Sequence, residues 1–176
     1  MIARVYGMAK KVWYLLRYTG AVIFEGLPSI EGKAKIKLRK GKFHSGKGLV
    51  MKPNSYCAIM DGGKLRLGHN VSIARNSMIV CHEKITIGDH CAIGPNVSIY
   101  DHDHRFGMNG IEAGFKTAPV IIDNYCWIGV GSVILRGTHI GEGCIIGAGT
   151  IVKGEIPAHS LVKSSREFTI LPIEHK

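Results

Sequence analysis

The feature that most limits how this chain can fold is a six-residue clock. From Ile122 onward an aliphatic residue returns at every sixth position: Ile122, Ile128, Ile134, Ile140, Ile146, Val152. The same frame runs through Leu67, Ile73 and Ile79 and through Ile87, Ile93 and Ile99, which makes twelve hexads. Four places after the aliphatic stands a mostly small residue, as at Cys126, Ser132, Thr138, Cys144 and Thr150, and a glycine often follows it directly, as at Gly129, Gly141 and Gly147. Neither the helical nor the ordinary strand period accounts for this spacing. It fits a short strand plus a sharp corner, three to a coil, with coils stacked in parallel. The aliphatic side chain points inward onto its copy in the next coil, the small residue fills the narrow part of the prism, and glycine permits a corner where φ is positive. Stability in such a chain is close to a sum of neighbour-to-neighbour terms.

The slips in the clock are informative. "KLRLGHNVSI", "KITIGDHCAI" and "PVIIDNYCWI" align with Leu67, Ile87 and Ile122 equivalent. Leu67 to Ile87 is 20 residues, but Ile87 to Ile122 is 35, 17 more than an 18-residue coil. The surplus falls in "RFGMNGIEAGFKTA", predicting a loop extruded over about 105–118. Long loops on rigid scaffolds tend to carry function. Residues 30–60 keep strand-like alternation ("AKIKLRK") with poor hexad phase and read as irregular first coils.

One domain is expected for 176 residues. The net charge of +10 lies in the first third, where residues 1–52 hold 12 Lys/Arg against Glu25 and Glu31; the remainder is balanced. A basic segment favours anionic surfaces such as phospholipid, phosphorylated ligands or acidic glycans; nucleic acid is not expected here. Five cysteines without a CxxC predict no disulfide framework and a reducing, cytoplasmic setting. No clean signal-peptide h-region or cleavage site stands at the N-terminus, and its longest uncharged run, Tyr18 to Phe24, is too short to span a bilayer. The stripe Val5, Met8, Val12, Leu15, Leu16 has helical spacing, beside Lys10, Lys11 and Arg17. Two placements stay open for that helix: lying in a membrane interface, at the inner face, or packing on its own domain or a partner subunit. The organisation expected is therefore a basic helical segment over 1–29, the coils over 30–162, and a tail over 163–176.

Directly before the extruded loop stands Asp101-His102-Asp103-His104. By composition alone it is a metal site, a proton-transfer site or a polar turn. The surrounding text, "IGDHCAIGPNVSIYDHDH" and then "APVIIDNYCWIGVGSVILRGTHIGEGCIIGAGTIVKGEIP", resembles the hexapeptide-repeat acyltransferases over roughly residues 64–162, most closely the sugar and polysaccharide O-acetyltransferases of the maltose, galactoside and nodulation type. That resemblance implies an all-β fold, a left-handed parallel β-helix, assembled as a homotrimer with the site between subunits. It also implies an acetyl-CoA-dependent transfer to a hydroxyl of a sugar or polysaccharide precursor, with a histidine general base and no metal.

In that branch the base closes the polar stretch before the loop, which here is His104, with His102 as the fallback and Asp101 or Asp103 to fix its tautomer. The coenzyme positions that match are Trp127, Gly129, Gly131, Ala148 and Lys153, with Lys163 and Arg166 as cations for its phosphates. Acceptor-side positions match Asn76 and His82, although His82 replaces an acidic residue of some relatives. The chain also departs from the family after "IP", where "AHSLVKSSREFTILPIEHK" stands. Cys91, Cys126 and Cys144 fall in the small inward slot and read as core fillers; Cys57 and Cys81 have no assignment. Three other readings are weighed: a zinc enzyme like the γ-class carbonic anhydrases, using His82, His102 and His104; N-acetylation of an amino sugar; and a non-catalytic scaffold.

Overall fold

The structure is a computed structural model that describes the backbone of residues 2–164 and side chains from Gly7 onward. Three parallel sheets of seven, seven and six strands wrap a left-handed β-helix, giving six full coils and two sides of a seventh. Each coil contributes one strand to each sheet, and the strands of the last coils are only two residues long, as in Trp127–Ile128 and Ile145–Ile146.

All twelve hexad aliphatics are buried, at 2% exposure or less. On the first side the inward stack runs Leu67, Ile87, Ile122, Ile140. On the second it runs Ile73, Ile93, Ile128, Ile146, and on the third Ile79, Ile99, Ile134, Val152. Burying one such side chain contributes about 1.5–3 kcal/mol. The small slots are filled as expected, with Cys91, Val97, Cys126, Ser132, Thr138, Cys144 and Thr150 all buried.

The frame is intact in the first coils as well, contrary to the irregularity expected over residues 30–60. The first coil begins at Val22–Phe24, inside the segment assigned to the helix, and its inward residues Phe24, Ile30 and Ile36 are six apart. Those of the second coil, Ser45, Met51 and Cys57, are six apart too, and they continue the same three stacks. Two things hide the frame. Ser45 and Cys57 occupy slots where an aliphatic is sought, and the third-side strands Lys35–Arg39 and Tyr56–Met60 are five residues long, which lengthens these coils. Cys57 is thus a core residue, with burial pushing its thiol up to about 12. All five cysteines are free and buried.

The glycines after the aliphatics have a different purpose from the one the sequence suggests. Positive φ falls two residues later, at Asn76 and Asn96 on one corner column and at His90 (58°) and Tyr125 (59°) on another, where their two rings stack 5.0 Å apart. Gly129 is required because a Cβ there would lie 2.6 Å from the Ile146 carbonyl oxygen and 2.7 Å from the Ala148 nitrogen. Close approach between coils, not chain reversal, selects glycine at this position.

Helix α1 (Ile2–Arg17) lies over the first coil. Tyr14 is its anchor, 3% exposed, and its phenol oxygen accepts the Ile36 N–H at 2.8 Å. Lys10 and Lys11 donate to the carbonyls of Gly32 and Gly26, each at 2.9 Å. The described part of the expected stripe does not pack on the chain's own domain: Met8, Val12, Leu15 and Leu16 are exposed, Leu16 by 75%, while the Val5 side chain lies outside the described residues.

Candidate active site

The predicted loop is an antiparallel hairpin, and it starts earlier than 105. Strand His102–Gly107 pairs with Gly110–Thr117 around Met108-Asn109, so the tetrad histidines lie on the hairpin itself. The Asn-Gly pair is a hairpin turn signal. The hairpin leaves the corner between the third and first sides of the fourth coil, after Tyr100, and returns at Val120. A bulge falls between His104 and Arg105, where register shifts against the returning strand. Bulges of this kind re-aim side chains.

Asp101 fixes the hairpin to the coil below. It is fully buried, and its carboxylate accepts the N–H groups of His82 (2.8 and 3.1 Å), Glu83 (2.8 Å) and Lys84 (2.9 Å). The chain passes from the third coil to the fourth here, with His82 and Glu83 at the corner and Lys84 opening the next strand. A buried carboxylate saturated with amide donors is a stable anchor. Asp101 also holds His102, whose Nδ1 is 3.2 Å from Oδ1. One coil further down, Asp61 stands 3.3 Å from the Nδ1 of His82.

These groups build a stack of rings that runs outward from the prism edge. His82 and His102 pack at 4.1 Å between centroids, and Phe115 from the returning strand covers both at 4.4 and 5.0 Å. The His104 ring completes the stack, 4.9 Å from Phe115. His102 and His104 are two apart on one strand and therefore share a face of it. His82 and His102 are largely enclosed, with side chains 10% and 13% exposed, whereas His104 is open to solvent. Burial, and then the neighbouring His102, hold His82 below the ordinary histidine pKa, against the opposing pull of Asp101 and Asp61.

Neither predicted carboxylate reaches His104. Asp101 is taken up by amides and by His102, and Asp103, on the other face of the strand, forms an ion pair with Arg136 of the fifth coil. Among the described residues no carboxylate is paired with His104. The histidines also do not converge as zinc ligands would: two rings lie against each other, and among the described residues no group of three His, Cys, Asp or Glu side chains is arranged to hold a metal ion.

The remaining predicted residues are spread over the prism. Trp127, 55% exposed, projects from the second side, with Ala92 below it and the exposed Ile145 and Leu161 above. Gly129, Gly131 and Ala148 occupy the adjoining corner, between the second and third sides, and Lys163 follows the last strand of the second side. Lys153 lies instead on the hairpin's edge, in the sixth coil. In a three-sided prism the edge between the third and first sides is opposite the second side. Within one chain, then, the histidine stack and the Trp127 face do not meet. Asn76 is likewise not beside His82: it forms a corner between the second and third sides at φ 59° and accepts from the Asn54 amide at 3.2 Å. Arg166 lies outside the described residues.

Comparison with known proteins agrees with this architecture. The bacterial transferase hexapeptide (six repeats) family matches residues 119–154. A probable acetyltransferase of Mycobacterium tuberculosis is 34% identical over 164 residues, covering 85% of this chain and 54% of that protein. Galactoside O-acetyltransferase of Escherichia coli is 39% identical over 100 residues, covering 54% of this chain and 48% of that protein. The chain spans about half the length of these curated relatives. Among solved structures, a hexapeptide-repeat acetyltransferase of Vibrio cholerae complexed with acetyl coenzyme A superposes with a TM-score of 0.58 at 28% identity, over 69% of this chain and 64% of that one. By repeat, by coil and by sequence likeness, the chain carries the bacterial transferase hexapeptide repeat over residues 119–154 and is similar to the hexapeptide-repeat acyltransferases.

Proposed function

We propose that this protein transfers an acetyl group from acetyl-CoA to a hydroxyl of a sugar or polysaccharide precursor, with His104 as general base. The observation that carries the assignment is the ring stack. Its inner members are enclosed and tied to Asp61 and Asp101, and only the outermost, His104, presents an imidazole to a substrate. The likeness to galactoside O-acetyltransferase supports a sugar acceptor.

In the reaction the acceptor oxygen attacks the thioester carbonyl carbon while His104 takes the hydroxyl proton. The tetrahedral intermediate collapses with cleavage of the carbon–sulfur bond, and the imidazolium returns the proton to the departing thiolate. No acyl-enzyme is formed. Holding the two substrates in line removes up to about 7–11 kcal/mol of entropic barrier, and general base catalysis contributes about 10²–10⁴-fold. Asp101, His102, His82 and Asp61 act through position: they fix the root of the hairpin and thereby the place of the His104 ring.

Because the histidine edge and the Trp127 face lie on opposite parts of one prism, the site is read as an intersubunit cleft in a homotrimer. The base comes from one subunit, and the coenzyme lies along Trp127, Gly129, Gly131 and Ala148 of the next. The exposed Trp127, Ile145 and Leu161 give that side an apolar surface suited to such a contact. The test follows coenzyme A thiol release with acetyl-CoA and a panel of neutral and amino sugars. Turnover of a neutral sugar is expected, with kcat reduced about 10²–10⁴-fold in His104→Ala. Full rate in that variant would reassign the base, and turnover of amino sugars alone would make the reaction N-acetylation.

A further inference from the structure

Helix α1 is docked by one arc and leaves an apolar arc uncovered. The docked arc holds Gly7, Tyr14 and Tyr18, with the Lys10 and Lys11 ammonium groups drawn in to backbone carbonyls. Almost diametrically opposite, Met8, Val12 and Leu16 stand 54%, 49% and 75% exposed, and Trp13 stands beside them at 51%. Helical spacing alone would send such a stripe to the protein core, and here the core contact is made by a different face.

The surroundings of the stripe indicate its occupant. Trp13 divides two shallow depressions, one lined by Met8, Val12 and Leu16, the other by Lys33, Ala34 and Lys35. The Arg17 guanidinium lies over the Trp13 ring at 5.3 Å. Lys33 and Lys35 are exposed, and Lys37 and Arg39 project from the same strand as Lys35. An apolar strip with a tryptophan at its margin and a row of cations beyond it matches a membrane interface, where the apolar side chains enter the acyl boundary and the cations stay among anionic headgroups. The same charge opposes a second copy of this face as the occupant. Residues 1–52 carry 12 Lys/Arg against two acids, so two such surfaces repel each other.

We infer that the outer face of α1, with the lysine row of the first coil, is a peripheral docking surface for an anionic phospholipid bilayer. No helix among the described residues is long and apolar enough to cross a membrane, so the contact is lateral. It sets acetyl transfer beside a lipid surface without entering the site described above, and it stands or falls independently of the reaction assigned there.

The experiment is cosedimentation of the full chain with vesicles of phosphatidylcholine alone or mixed equally with phosphatidylglycerol. Binding to the mixed vesicles only is expected, weakening as salt is raised. The double variant Val12→Glu/Leu16→Glu should lose binding at least about tenfold, with helix content and thermal midpoint kept, because neither side chain is packed on the coils. Lys33→Glu/Lys35→Glu should also weaken binding and flatten its salt dependence. The proposal is overturned if the wild type stays in the supernatant with anionic vesicles, or if Val12→Glu/Leu16→Glu binds as well as wild type. It is equally overturned if that variant changes the oligomeric state in sedimentation velocity, which would assign the stripe to a neighbouring copy.

Discussion

Thr150 and Ser45 are buried at 3% and 1% exposure, and their hydroxyls find no hydrogen-bond partner among the described residues. The counterparts of Thr150 in the small slots are satisfied: Ser132 donates to the Gly147 carbonyl at 2.9 Å and Thr138 to that of Leu135 at 2.6 Å. A buried hydroxyl without a partner costs about 1–3 kcal/mol. Thr150→Val keeps the shape and removes that cost, so the urea midpoint should rise by about 1 kcal/mol equivalent at unchanged m. Ser132→Ala should move it the other way. Two histidines give a pH test with opposite signs. The fold depresses His82, so below the ordinary value of about 6.5 the unfolded chain binds a proton that the folded chain refuses; this part of the stability is complete above that pH and falls as pH drops through it. His139 is raised, first by its hydrogen bond with Asp123 and also by Glu155, so its contribution is complete below the ordinary value and is lost as pH rises through the folded value. Between about pH 7.5 and about pH 5.5, His82→Gln should flatten the fall in urea midpoint and His139→Gln should steepen it.

At the scale of the element, corner and hairpin differ in how much of them the sequence discloses. Corners repeat, so a missing side chain or an unusual backbone recurs at fixed offsets. Even so, the offsets alone do not say why glycine is present. Gly129 is pressed against the next coil, whereas Gly131, at φ 70°, has nothing within 4 Å of a built Cβ and needs only a residue that tolerates the left-handed region, as Asn76 and Asn96 do in lower coils. Gly129→Ala should therefore cost about 1–3 kcal/mol by forcing two coils apart, while Gly131→Asn should leave the thermal midpoint nearly unchanged; equal effects from the two would refute this division. The hairpin does not repeat. The clock reveals it only as a surplus after Ile99, and its partners come from elsewhere in the chain. Arg136 of the fifth coil meets Asp103 of the tetrad, and Asp61 of the second coil meets His82 below it, only because all of them share one prism edge. Phe115 returns to the histidines across the hairpin. The candidates His104, His102, Asp101 and His82 are legible through the motif and the family resemblance; Asp61, Arg136 and Phe115 are not, since no spacing in the chain connects them to the tetrad.

The residues proposed for base and coenzyme lie on opposite parts of a rigid prism, and this makes the proposed site testable by mixing. His104→Ala removes the base from the hairpin edge and leaves the Trp127 face untouched. Ala148→Trp does the reverse, filling the proposed coenzyme path from a position that is exposed in the single chain. Each homotrimer should be inactive. If every site takes its base from one subunit and its coenzyme face from the next, random heterotrimers restore the sites in which an Ala148→Trp hairpin meets a His104→Ala face. With equal amounts of the two chains, that arrangement arises at about one site in four. Unfolding and refolding the two variants together should thus recover about a quarter of the wild-type rate of thiol release, while refolding them separately and then mixing should recover none until subunits exchange. A mixture that stays inactive after joint refolding, though shown to contain heterotrimers, would require base and coenzyme face to belong to one chain. The opposition of hairpin edge and second side argues against that arrangement.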